Sequence, residues 1–188
     1  MVLKKGVMCL VILSMLFVPF AGINDTDDVY AAKKKKVKAV SSGIKKGIID
    51  PKYGMYGSNL KDGIPTLSIP VKIKSKPKGT KYYAIYMYDP DAGNFCHWTA
   101  VNIKGKTKNI KANASKKNKP KMIQGKNDFG TIGYGGPTPP DKTHKYVIQV
   151  YALKSKVNLK KGYTAAEFKK TIKGKVIAST KIKGKYVK

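Results

Sequence analysis

Tyr82–Trp98 reads YYAIYMYDPDAGNFCHW and Asn127–Leu153 reads NDFGTIGYGGPTPPDKTHKYVIQVYAL, and these two stretches decide the fold. Each joins an apolar, strand-like run to a turn crowded with Asp, Gly, Pro and His. Tyr82–Tyr88 is apolar throughout, the pattern of a strand buried on both faces. Asp89-Pro90-Asp91 ends it, because Pro has no N–H for a ladder. His97 then opens a second run, WTAVNI. Further on, Gly133–Pro140 forms a loop, and His144 stands just before a strand over Tyr146–Leu153. The chain's two histidines therefore lie at strand ends, as do Asp89 and Asp91. Of seven acids beyond residue 31, four (Asp89, Asp91, Asp128, Asp141) fall in these stretches. Their concentration marks a candidate site.

Working outward, the chain of 188 residues fits one domain behind a leader. Lys4 and Lys5 precede an uncharged run over Val7–Phe20, and Val29-Tyr30-Ala31 supplies a small-residue cleavage site. That is the pattern of a secretory signal peptide over residues 1–31, too short to span a membrane. The expected product is secreted or held at the cell surface, with an uncleaved anchor as the alternative. Beyond the leader only Cys96 remains, so no internal disulfide forms there. The net charge is +29, and every basic residue is Lys. Such a field attracts polyanions: an anionic membrane, a cell-wall polymer or nucleic acid. Without Arg, the forks that read bases specifically are missing, so no sequence-specific nucleic-acid partner is expected.

Residues 32–43, with AKKKKVK at their start, read as a basic flexible segment, and residues 44–188 as the folded domain. In Val71–Lys74, Val71 and Ile73 face inward while Lys72 and Lys74 face outward. Ile103–Ile123, with eight Lys, reads as a mobile basic loop with short structure near Ile110. Thr164-Ala165-Ala166-Glu167 is a capping box, Phe168 and Ile172 give its helix an apolar stripe, and Gly174 ends it. Val176–Val187 returns to strand-like alternation. Several strands, Gly/Pro turns and one convincing helix indicate a mostly β chain, a β-sandwich.

Gly133, Gly135 and Gly136 would let the backbone N–H groups converge on an anion, with His97 and His144 donating to its oxygens. A two-His-one-carboxylate metal set is conceivable from the same residues, but the spacing matches no recognised ligand motif. No G-x-S-x-G elbow or H-E-x-x-H is present. Cys96 neighbours His97, yet strand neighbours point to opposite faces, and Cys96 reads as a small buried hydrophobe. A Cys96–His144 dyad stays open as the alternative. The expectation is a binding protein without cofactor, not an enzyme.

The motifs Asp89-Pro90-Asp91-Ala92-Gly93, His97-Trp98, Gly133–Pro140 and His144-Lys145-Tyr146 stand in an order and spacing that resemble the phosphatidylethanolamine-binding protein family. The closer resemblance is to its bacterial, Raf-kinase-inhibitor-like branch, from roughly Ile44 to Val187. It implies an antiparallel β-sandwich with one short helix near the C-terminus and a small anion pocket at one end. It also implies that Asp89, Asp91, His97, Gly135, Pro137, Pro139, His144 and Tyr146 line a pocket for a phosphate-bearing or other anionic ligand of the phospholipid head-group type. Inhibition of an extracellular protease is a second implied role, since a secreted product meets no cytosolic kinase. Thr138 stands where the branch has Cys, Lys145 where it has Arg, and Gly93 where it has Pro. The Lys keeps a charge but loses a bidentate fork.

Overall fold

The computed structural model describes residues 36–188. The leader expected over residues 1–31 lies outside them. In chain order the strands are β1 (Lys38–Val40), β2 (Ile44–Lys45), β3 (Ile48–Ile49), β4 (Leu60–Lys61), β5 (Ile64–Pro65) and β6 (Val71–Ser75). There follow β7 (Tyr82–Asp89), β8 (Phe95–Lys104), β9 (Asn109–Ile110), β10 (Ile123–Gln124), β11 (His144–Leu153) and β12 (Val176–Tyr186). Two α-helices, α1 (Ala114–Lys117) and α2 (Ala165–Ile172), complete the set.

The large sheet runs β10-β8-β7-β11-β12-β3-β2, and a smaller one runs β1-β6-β9. The quoted stretches supply the centre of the large sheet, where β7 pairs antiparallel with both β8 and β11. Both faces of β7 are covered, as its unbroken apolar run requires. Tyr83, Ile85 and Met87 join Val71, Ile73 and Ile110 in the core between the sheets. Ala84 and Tyr86 join Phe168 and Ile172 of α2 in a second cluster on the other face. The sandwich is therefore present, with α2 as a third layer. It is not wholly antiparallel, since β12 meets β3 in parallel register at Lys185 and Ile48.

The capping box forms as read: Thr164 Oγ1 accepts from the Glu167 amide at 3.2 Å, and Glu167 accepts from the Thr164 amide at 2.7 Å. Val71 and Ile73 are buried between exposed lysines, also as read. Two readings are corrected. The segment 32–43 is not flexible over its described part, because β1 pairs with β6 and Val37 is buried. Ile103–Ile123 is a fixed crossing rather than a mobile loop: β9 pairs with β6, and Ile110, Ala114 and Met122 are buried. Beyond these readings, Ile44–Ile49 and Leu60–Pro65 are tight hairpins turned at Lys46-Gly47 and Asp62-Gly63. All four turn residues have positive φ, the two-residue geometry that Asn-Gly and Asp-Gly favour.

Strand β8 carries two bulges. Its register against β7 slips by one residue at His97 and again near Asn102. Cys96 consequently faces the α2 cluster, whereas Trp98, two residues on, faces the inter-sheet core. Simple alternation would put them on one face. Asn102, at φ 63, secures the second bulge by bonding both the amide and the carbonyl of Val157 at 2.8 Å.

Candidate functional site

Asp89 closes β7 and performs two tasks at once. Oδ1 accepts from the amides of Asp91 (2.8 Å) and Ala92 (3.2 Å), capping the single 3-10 turn that Pro90 begins. Oδ2 accepts from Nδ1 of His144 at 2.7 Å, and both side chains are buried. The second ring nitrogen of His144 donates to Asp141 Oδ1 at 2.9 Å. A ring that donates from both nitrogens is an imidazolium. The hydrogen bond to Asp89 accordingly raises the His144 pKa above the ordinary histidine value, against the opposing effect of burial.

His97 is built the other way. Its ring lies on the inter-sheet side, opposite to Cys96, where Tyr146 lies 5.2 Å away and Phe95 and Phe129 lie at 5.2 and 5.5 Å between ring centres. Nδ1 donates to the Gly135 carbonyl at 2.7 Å, and the Gly135 amide returns a bond to the His97 carbonyl at 2.8 Å. Burial lowers the His97 pKa, outweighing that hydrogen bond, so the ring is neutral at pH 7 and Nε2 carries its lone pair. Tyr146 joins the two halves. Its ring touches His97, and its hydroxyl faces the Asp89 carboxylate and the Thr138 amide. Burial first, and Asp89 second, push that phenol well above its ordinary value, so it stays a donor.

The glycine loop does something other than the nest of amides read from its composition. The amide of Gly133 donates to Gly125, that of Tyr134 to Ser115 Oγ, and those of Gly135 and Gly136 to the carbonyls of His97 and Pro65. All four are occupied within the protein, so they are not free to converge on an anion. The glycines serve close approach instead. A Cβ on Gly136 would fall 2.2 Å from the Tyr53 carbonyl oxygen, and one on Gly135 would fall 2.5 Å from the Phe129 ring. His144 departs from its reading too, since both nitrogens already hold carboxylates.

The remaining expected residues divide. Pro137 and Pro139 are buried beside the site, and the Pro137 carbonyl accepts from Met55 at 2.9 Å. Asp91 is exposed and accepts from the Lys145 amide at 2.7 Å, stapling the β7 turn to β11 rather than facing inward. Asp141 was legible only as one more acid three residues before His144, and its role as the second carboxylate of the clamp went unread. Phe129 was missed altogether. Cys96 lies on the far face of the sheet, buried, and desolvation pushes its thiol up to about 12, so no dyad with a histidine forms. Among the described residues no three His, Cys, Asp or Glu side chains converge as metal ligands.

A family model described as phosphatidylethanolamine-binding protein matches residues 40–187. The chain belongs to that family. A Bacillus subtilis protein called YxkA is 34% identical over 149 residues, covering 70% of this chain and 89% of its own. The crystal structure of the family's homologue from Chlamydia trachomatis superposes with a TM-score of 0.71 at 28% identity, covering 81% of this chain and 97% of that one. The crystal structure of Escherichia coli YbcL, described as a new member of the mammalian PEBP family, gives 0.69 at 30% identity over 82% of this chain and 99% of that one.

Proposed function

We propose that this family member binds a small phosphate-bearing or other anionic ligand, of the phospholipid head-group type, at the end of the inter-sheet core. The observation that carries the reading is the line His97–Tyr146–Asp89–His144. It places one free imidazole nitrogen and one protonated phenol side by side in a buried, aromatic-walled site. The phenol's one O–H, which faces Asp89, turns to a phosphoryl oxygen when the ligand enters, and Asp89 keeps its bonds from His144, Asp91 and Ala92. Neutral His97 accepts the proton of a monoprotonated phosphate through Nε2, or takes up a proton and then donates to the dianion. The His144 clamp contributes a fixed positive charge behind Asp89 and holds the wall in place. No activated nucleophile faces this site, and the reading is of a binding protein, not an enzyme. An exported product, as the leader suggests, would meet such ligands at the cell surface.

Calorimetric titration with phosphate and phosphorylethanolamine tests the reading on the wild type and on His97→Ala and Tyr146→Phe. Saturable binding that both substitutions weaken supports it, and affinity unchanged by either overturns it.

A second reading rests on the lysine surface. Lys181, Lys183 and Lys185 project from the same exposed face of β12, and Lys145 stands directly opposite Lys185. Among the described residues Lys52–Asp50 is the one lysine–carboxylate ion pair, so these charges are not neutralised within the protein. Retention on an anionic membrane or wall polymer would follow, and would weaken steeply with salt because screening acts within about 8 Å at physiological ionic strength. Retention on anionic vesicles that is insensitive to salt would overturn it.

A further inference from the structure

Apart from that site, a groove of about 880 Å³ opens between the β4–β5 hairpin, α1, β10 and the loop at residues 159–161. Neither Asp89, His97, His144 nor Tyr146 lines it. Its volume falls within the range of about 300–1,000 Å³ typical of small-molecule sites. Leu60, Ile64, Met122, Ile132 and Leu159 supply an aliphatic lining, and Leu60 and Ile132 are 47% and 48% exposed. Half-exposed aliphatic side chains that meet across one groove leave apolar area for a ligand to cover.

The polar groups at the bottom of the groove are already occupied. Gln124 Oε1 accepts from Trp98 Nε1 at 2.9 Å and from Ser115 Oγ at 2.6 Å, while its Nε2 donates to the Ser115 carbonyl at 3.0 Å. The rim, by contrast, carries Lys61, Lys116, Lys160 and Lys161 against the single acid Asp62. None of these four lysines pairs with a carboxylate among the described residues. A neutral polar ligand finds few partners here. A peptide would bring backbone amides that an aliphatic floor leaves unpaired.

We propose that the groove binds an anionic amphiphile, with its aliphatic body over Leu60, Ile64 and Ile132 and its carboxylate or phosphate head among Lys61, Lys160 and Lys161. Charge and apolar surface are both required, and the site acts independently of the phosphate pocket.

The test is titration of the full chain with dodecanoate and dodecyl phosphate below their micellar concentrations. Dodecyl maltoside serves as the neutral counterpart, and inorganic phosphate as the head group alone. The variants are Lys160→Gln/Lys161→Gln and Leu60→Ser in the groove, Lys181→Gln/Lys183→Gln as a charge-matched control, and His97→Ala for the other pocket. Saturable binding of dodecanoate is expected, weakened about tenfold by either groove variant and unchanged by the β12 control or by His97→Ala; for dodecyl phosphate the same holds of the binding that remains in His97→Ala. The two head groups distinguish a fatty-acid-like from a phospholipid-like ligand. Equal binding of the maltoside, equal loss in the β12 control, loss in His97→Ala alone, or no saturable binding would each overturn the proposal. Phosphate that binds through His97 while no amphiphile binds would leave the pocket standing and remove the groove.

Discussion

The aspartate side and the glycine-loop side of the candidate site each bury one histidine, yet stabilise opposite protonation states. On the aspartate side, His144 sits between two carboxylates and is held as a cation. On the glycine-loop side, His97 meets a carbonyl and aromatic rings and is held neutral. Residue type alone therefore does not give a histidine its role. The one with both nitrogens bonded braces the Asp89 turn, and the one with a nitrogen to spare is the one the proposed binding uses.

Substitution should separate the two most sharply in stability. Replacing His144 by Ala leaves the buried Asp89 without its cation, and a loss of about 3 kcal/mol is expected in urea unfolding. Replacing His97 by Ala removes one hydrogen bond and some ring packing, a loss nearer 2 kcal/mol, but should abolish phosphate binding. If His97→Ala proved the more destabilising, the division of labour would be wrong.

The two sides should also respond to pH in opposite senses. His144 has a raised folded pKa, so its contribution is complete below about pH 6.5, the unfolded value, and is lost as pH rises through the folded value. His97 has a lowered folded pKa, so the unfolded chain takes up the proton first and stability falls as pH drops below about 6.5. Urea midpoints from pH 5 to pH 8 should show His144→Gln flattening the alkaline-side loss and His97→Gln the acid-side loss. Phosphate affinity should rise as pH falls toward the His97 pKa, with proton uptake visible when calorimetry is repeated in buffers of different ionisation enthalpy. Equal heats in all buffers would mean that His97 does not change protonation on binding. The smallest effect is expected from Asp141→Asn, a urea midpoint close to that of the wild type, because that carboxylate is 60% exposed and water screens its pairing.

Much of this was legible in the sequence where neighbours in the chain are also neighbours in space. The unbroken apolar run of β7, the Asp89-Pro90-Asp91 stop and the Thr164–Glu167 capping box all announce themselves locally. What failed to show depends on distant partners. Val37 and β1 looked flexible because lysines surround them, and only pairing with β6 fixes them. The glycine loop looked like an anion cradle because composition does not reveal that Ser115, Gly125, His97 and Pro65 take its amides. His144 looked like a ligand donor for the same reason, since Asp89 reaches it from 55 residues away.

The two bulges of β8 have a consequence in counting. Each adds one residue and inverts the facing of everything beyond it, so together they restore the original phase and Ile103 returns to the inter-sheet core. Deleting either residue alone would push half of a central strand's side chains to the wrong face, whereas deleting both would conserve the facing of the strand's far end. Strand β8 thus tolerates changes of length only in even steps, and the first of its two extra residues is His97 itself.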